Sequence, residues 1–527
     1  MIVTGEPIAN IVPVEPATME NRTVVQFDKE NLESLGIVKI DLLGLRMLSA
    51  IADTVKLVRE SRSKQIDLHA LDFKEKAIYD HICSARTIGI FEVESGAQVS
   101  LIPHMRPRCF QDLVIEVSLI RPGPLQGGMV RPYVRRRQGI EPVTYLHPLL
   151  KNALAETLGV VVFQEQVIKV GRDIGGFTPG KGELLRRALG SKNALEAIER
   201  FHVEFLEGAH RNGVTAKTAE AIWKMIAGFA GYSFSKAHAA AFAVIVYWSA
   251  WLRVHYPTEY FCGLLRNTPL GTYPANVLES EARRAGVKFL PFDINHSLAK
   301  PTVQNGAIRF GLGYVKGIGE TTADDIVQMR GARPFRSLAD FIERARLDRR
   351  SMEWLILAGA FDAFGERRQL LWNLAEAFDI VQRPAMLPLQ FIDEQVALEP
   401  MTDEQRLVAT FAATGVTAGM SLVEVRRDAF TKAGCAPLSK LRKMRMGTRV
   451  KVGGLIADGV RRPPTAKGTA FIRLEEPYGG GMIDVIIPQE VYLQHRDVLG
   501  SAFVVMEGVL KANGVTVSVA AKRIEVL

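Results

Sequence analysis

The hydrophobic period of this sequence changes partway along the chain, and that change rules out one uniform core. Between residues 48 and 278 apolar side chains recur at three- and four-residue steps, as in Ile222, Met225, Ile226 and Phe229, the spacing of helices with one buried face. Over residues 438–527 the pattern turns to β-branched and aromatic runs at 449–452, 470–474, 483–487 and 515–519. Gly, Pro and Asn separate these runs, as in a small antiparallel barrel. A chain of 527 residues with such a switch predicts a multidomain α+β protein of roughly three or four domains.

The first segment is short and strand-like, with runs at 24–27 and 36–41, and two strands do not bury a core by themselves. Residues 279–375 hold shorter helices joined by glycine turns. Residues 384–437 show no clean period and contain Pro384, Pro388, Pro400 and Pro437, so a linker is expected there.

Lys and Arg number 66 against 57 Asp and Glu, a net charge of +9 that suits a polyanionic partner such as nucleic acid without naming it. Cys83, Cys109, Cys262 and Cys435 are far apart and form no Cys-x-x-Cys pair, which argues against a zinc ribbon or a disulfide framework and fits a reducing cytoplasm. The apolar run 237–251 carries His238 and falls short of the ~18 residues a membrane helix needs, so no membrane association is expected.

Several segments carry candidate chemistry. Asp41 ends a strand, the rigid placement that two-metal phosphoryl transfer demands of its carboxylates, although a lone Asp is more often a turn or cap. Seven arginines (106, 108, 121, 131, 135, 136 and 137) flank Pro122-Gly123-Pro124 and Gly127-Gly128, where backbone amides can approach phosphate; the competing reading is a solvated basic face. Arg186 and Arg187 follow glycines 180 and 182 on a short helix, about 100° apart, so that one can pack while the other reaches a triphosphate. Lys316-Gly317-Ile318-Gly319 looks like the hairpin of a helix-hairpin-helix element, whose amides contact successive duplex phosphates. In the terminal barrel, Arg461, Arg462 and Lys467 with Tyr478 suit single-stranded nucleic acid, while Phe471 reads as barrel core. His238 reads as a buried, hydrogen-bonded core histidine, and Lys236 beside it could face a phosphate.

In this order the segments resemble the bacterial C-family polymerases, the DNA polymerase III alpha-subunit family. The motifs are Gly36-Ile37-Val38-Lys39-Ile40-Asp41, Ile90-Phe91-Glu92-Val93-Glu94-Ser95, Arg121-Pro122-Gly123-Pro124, Phe163-Gln164-Glu165-Gln166, Leu185-Arg186-Arg187-Ala188-Leu189-Gly190 and Phe234-Ser235-Lys236-Ala237-His238. Lys316-Gly317-Ile318-Gly319, Ala358-Gly359-Ala360-Phe361-Asp362 and Pro464-Thr465-Ala466-Lys467-Gly468 follow. The run 127–137, and an end just after the barrel, are similar to the error-prone, damage-tolerant branch.

The resemblance implies the C-terminal part of a palm over 1–47, fingers over 48–278, a helix-hairpin-helix region over 279–375, a linker with a clamp-contact segment over 376–437, and an OB-fold over 438–527. It implies that Asp41 is a metal-binding catalytic aspartate for Mg²⁺ and that Lys39, Arg121, Arg186, Arg187 and Lys236 contact the incoming deoxynucleoside triphosphate. Arg131, Arg135, Arg136, Arg137, Lys316, Gly317, Gly319, Arg461, Arg462 and Lys467 then bind primer–template DNA. The sliding clamp, reached through residues 386–391, and other damage-response polymerase subunits would be partners. The family's Pro-Asp-x-Asp-x-Asp-Phe segment is absent from this sequence, so the chain alone is expected to be inactive, the C-terminal half of such an enzyme. Gly96 stands where the family pattern calls for a basic residue. A non-catalytic DNA-binding module is the alternative.

Overall fold

A computed structural model describes the chain except residues 1–3, 18–21, 28–31, 33–34, 36, 38–45, 121–127, 190–193, 228–233, 271–272, 332, 383–397, 420, 463–467, 479–480 and 514–515. It has two units. The first, Met1–Arg46, contains an antiparallel pair, β1 (Val14–Pro16) with β2 (Thr23–Val25). The strand expected at 36–41, with Lys39 and Asp41, lies outside the described residues.

The second unit, Met47–Leu527, carries the rest. Helix α1 (Arg46–Arg62) buries Met47, Ala50, Ile51, Thr54, Leu57 and Val58, a stripe at three- and four-residue steps. Gly263 lies directly against this stripe: a Cβ there would sit 2.3 Å from Thr54 Oγ1 and 2.7 Å from the Ala50 carbonyl. Only glycine allows the two helices so close.

One core surrounds helix α2 (Lys236–His255), which packs on Phe110–Leu119 and Lys76–Cys83 through Ala239, Ala243, Val246, Tyr247 and Ala250. This helix has 20 residues and is long and apolar enough to cross a membrane, which corrects the shorter run expected; half of its apolar window is nonetheless buried inside the protein. A second core gathers Val167, Ile174, Leu185, Phe205, Ile222 and Trp223 from neighbouring helices.

Residues 279–375 contain the three-stranded sheet β3 (Lys288–Leu290), β5 (Ala307–Arg309) and β4 (Thr302–Gln304), which the short-helix reading did not foresee. The expected linker holds a 12-residue helix, Asp403–Thr414, begun by a reciprocal capping box between Thr402 and Gln405. Phe430, further along, is fully buried, so packed structure occurs among the described residues of this stretch.

The last strands close a five-stranded barrel in the order β10 (Thr516–Val526), β8 (Met482–Ile487), β7 (Ala470–Glu475), β6 (Arg449–Arg461), β9 (Phe503–Asn513). Four of the five pairings are antiparallel, but β10 closes on β8 in parallel, unlike the all-antiparallel barrel expected. The barrel is tied to helix Ala275–Arg284: the buried Glu475 accepts from Ser280 Oγ at 2.7 Å and from Ser421 Oγ at 3.0 Å. Arg473 donates to Tyr273 Oη at 3.2 Å in the same seam.

Candidate nucleotide and nucleic-acid interface

Helix α3 (Pro179–Leu189) carries Arg186 and Arg187 at consecutive positions, and one carboxylate, Glu183, serves both. Arg186 makes a two-pronged pair with it, Nε at 2.8 Å and Nη2 at 2.6 Å, and Arg187 Nε adds a contact at 3.1 Å. The Arg186 hydrogen bonds, with those of Arg187, hold the Glu183 carboxyl down at about 2. Arg186 is one-quarter exposed and Arg187 two-thirds, so one arginine is fixed while the other reaches solvent.

The next turn of organisation comes from Phe163-Gln164-Glu165-Gln166 at the start of a helix, Gln164–Asp173. Gln166 secures the turn: Oε1 accepts from the amides of Val162 and Phe163, and Nε2 donates to Thr157 Oγ1 at 2.7 Å. Gln164 Oε1 accepts from Arg186 Nη1 at 3.0 Å. Glu165 accepts from Ser235 Oγ and from the Lys236 amide, each at 3.0 Å, placing a negative charge at the N-terminus of α2 where the helix dipole favours it. The structure thus brings Arg186, Arg187 and the backbone of Lys236 into one cluster. The Lys236 ammonium pairs with Glu156 and lies over the Phe163 ring at 5.9 Å. Sequence reasoning left Gln164, Glu165 and Glu183 without roles; a carboxylate three and four residues before paired arginines was the available signal.

His238 is exposed, with its ring 5.3 Å from Phe234 and 4.1 Å from Phe242, which overturns the buried-core reading. Ala239 beside it carries the buried face of this turn, and His238 points to the other side against the two rings.

The arginine-rich segment divides. Arg131 is exposed at the start of helix Val130–Arg137. Arg135 pairs with Glu141. Arg136 donates to the Leu158 carbonyl at 2.6 Å, and Arg137 pairs with the buried Asp112 at 2.5 Å. These three guanidinium groups therefore fasten neighbouring segments together. Arg121 lies outside the described residues.

At the hairpin, Ile318 is buried while Lys316, Gly317 and Gly319 are exposed. Gly317 takes the left-handed conformation, φ +77°, that favours glycine. Gly319 is the N-cap of helix Glu320–Arg330 and offers no side-chain acceptor, so the first amides of the helix have no side-chain cap. The element before the turn is a single 3-10 turn, Leu312–Tyr314, where a helix was expected; Gly311 there presses against the Ala299 carbonyl, a contact that leaves no room for a side chain. Lys316 Nζ sits 5.1 Å from the centre of the Trp354 ring.

In the barrel, Ala470, Ile472 and Leu474 are buried in the core, and Phe471, between them, is half-buried on the other face and opposite Arg461. Tyr478 is half-buried and donates to the Cys435 carbonyl at 3.1 Å. Neither aromatic belongs to the barrel core, so the core reading of Phe471 does not hold. The Arg462 guanidinium stacks over Tyr492 at 4.3 Å; Lys467 lies outside the described residues. Among the described residues no group of three or more His, Cys, Asp or Glu side chains could hold a metal ion, and Asp41 lies outside them. The segment 386–391 also lies outside them.

A mostly helical body, a glycine hairpin and a closed barrel define a multidomain α+β architecture. Residues 47–213 match the finger domain of the bacterial DNA polymerase III alpha subunit, residues 286–371 match a helix-hairpin-helix motif, and residues 1–44 match the bacterial DNA polymerase III alpha NTPase domain. The chain belongs to the bacterial DNA polymerase III alpha-subunit family. It is 42% identical over 531 residues to an error-prone DNA polymerase of Corynebacterium glutamicum, covering 100% of this chain and 50% of that protein. Error-prone DNA polymerases of Corynebacterium diphtheriae and Cutibacterium acnes are 40% and 36% identical, with the same coverage of 100% of this chain and 50% of each. The chain spans about half the length of the curated relatives it matches.

Proposed function

We propose that this chain supplies the finger, helix-hairpin-helix and barrel portions of an error-prone, damage-tolerant DNA-directed DNA polymerase. The reaction joins a deoxynucleotide to a primer 3′-hydroxyl and releases pyrophosphate. The observation that carries this reading is the Arg186–Gln164 contact: a cation prearranged by Gln164 and Glu183, beside a second, exposed arginine, suits the charge of an incoming triphosphate.

The proposed division is palm to residue 47, fingers over 48–278, duplex-binding region over 279–375, a connecting and clamp-contact region over 376–437, and an OB-fold over 438–527 with single-stranded template on it. Asp41 would bind Mg²⁺ with carboxylates that this sequence does not carry, beside Lys39, and Arg121 and Lys236 would complete the nucleotide contacts. Arg131, Lys316, Gly317, Gly319, Arg461, Arg462 and Lys467 would face DNA. The sliding clamp and other damage-response subunits are the proposed partners, and the cytoplasm the proposed location. Because the remaining catalytic carboxylates are absent from this sequence, the isolated chain is expected to be inactive.

Primer extension with Mg²⁺ tests the reading, comparing this chain, a form extended upstream in the genome, and the extended form with Asp41→Ala. Extension by the extended form alone, lost with Asp41→Ala, supports it. Synthesis by the isolated chain would remove the account of missing carboxylates. The exposed hairpin at 316–319 favours a second reading, a DNA-binding module without catalysis, which stands if neither form extends a primer.

A further inference from the structure

A cavity of about 900 Å³ opens between the segment 104–112 and helix Val130–Arg137. Four arginines line it, Arg106, Arg108, Arg136 and Arg137, together with His104; one lining residue, Asp112, is acidic. That carboxylate is already committed: Oδ2 accepts from the Arg108 amide at 2.8 Å and from Arg137 Nη2 at 2.5 Å. It offsets one of the four positive charges.

The arginines fall into two kinds. Arg136 and Arg137 are anchored, the first to the Leu158 carbonyl and the second to Asp112, and Arg136 Nε is a buried donor with no partner among the described residues. Arg106 and Arg108 are exposed. Arg106 Nε reaches the Pro103 carbonyl at 3.3 Å, while its Nη groups and the Arg108 side chain have no partner among the described residues. Arg106 takes the left-handed backbone conformation, φ 48°, at the end of helix Gly96–Met105. Two fixed and two open guanidinium forks around one concavity form a preorganised anion receptor, because guanidinium binds phosphate oxygens in pairs and loses little freedom doing so.

We propose that this cavity binds a compact free polyphosphate, pyrophosphate or the triphosphate tail of a nucleotide. The charge is grouped around one open concavity, which favours a small polyanion over a nucleic-acid backbone that calls for a stripe of cations along a groove. None of the lining residues comes from helix α3, so the site is separate from Arg186 and Arg187. The inference does not rest on the polymerase reading, since pyrophosphate binding here requires neither DNA nor the palm.

The test is calorimetric titration of pyrophosphate into the chain, the Arg106→Gln/Arg108→Gln double variant, the Arg108→Glu variant and Arg59→Gln, without divalent cations. A thermal melt of each shows that the fold is kept. Affinity should fall by about tenfold or more in the double variant and further in Arg108→Glu, and stay unchanged in Arg59→Gln, an exposed arginine of helix α1. Absence of binding by the unmodified chain, or equal affinity in the double variant, would overturn the proposal. A single-stranded oligonucleotide titrated in parallel gives the remaining outcome: if the double variant loses only oligonucleotide binding, the arginines serve a nucleic-acid backbone and the small-anion site is wrong.

Discussion

The guanidinium of Arg186 donates to the side-chain oxygen of Gln164 at 3.0 Å, joining two helices whose partners are 22 residues apart in sequence. The residue after Gln164, Glu165, accepts from the amide of Lys236, so two consecutive side chains orient a cation and a helix terminus. Gln164→Leu should therefore leave the fold intact but free Arg186 to swing with Glu183. In the extended polymerase, the Michaelis constant for deoxynucleotides should rise about tenfold, the scale of one charge-assisted hydrogen bond. An unchanged constant would remove Gln164 from the nucleotide site.

Glu116 gives a pH dependence with a definite sign. It is fully buried, neither carboxyl oxygen has a partner among the described residues, and burial pushes its carboxyl well above the usual range. Between the ordinary carboxylate value and that raised one, the unfolded chain has released a proton that the folded chain keeps. Stability from this group is thus present at low pH and is lost as pH rises, by about 1.4 kcal/mol per pH unit. Glu116→Gln should raise the melting temperature at pH 8 and change it little near pH 4. Thermal melts across that range decide it; an equal effect at both ends would refute the argument. Glu94, raised to about 7 by burial, adds a second contribution of the same sign.

Gly319 separates DNA contact from stability. Its φ is −72° and no atom lies within 4 Å of where a Cβ would stand, so Gly319→Val fits the fold. The added side chain would nonetheless cover the uncapped amides. Duplex affinity in a gel-shift assay should drop about tenfold while the melting temperature holds. If both fall together, the glycine is structural.

Affinity for duplex should also fall steeply with salt. With roughly six phosphates neutralised, the log–log slope would be near −5. Three arginines of the 131–137 run are tied to protein partners, so their replacement should cost stability more than salt slope. Fluorescence titration at several salt concentrations measures the slope, and a value near zero would end the electrostatic account.

Much of the architecture was legible because it rests on local period. The helical repeat of Ile222, Met225 and Ile226 and the alternation of Ala470, Ile472 and Leu474 each announce a buried face. Strand β9 was not singled out, since Phe503-Val504-Val505-Met506 is an unbroken apolar run without alternation. The helix at Asp403–Thr414 was hidden by surrounding prolines, although Thr402 and Gln405 spelled its start. The candidate site was legible as residue types and illegible as partners. Nothing local says that Arg137 will meet Asp112, 25 residues earlier, or that Gln164 will orient Arg186. Such pairings exist only once the helices have packed.

Strand β10 lies between β9 and β8, so it completes the cylinder from both sides. Until residues 516–526 emerge from the ribosome, β8 and β9 present open edges, and the apolar interior that Val519, Ala521 and Ile524 fill is exposed. The helical part, built from nearer neighbours, can be finished by then. Synthesis of this chain therefore passes through a stage in which a mature helical body carries an unfinished, adhesive sheet, and any pause before residue 516 prolongs the exposure.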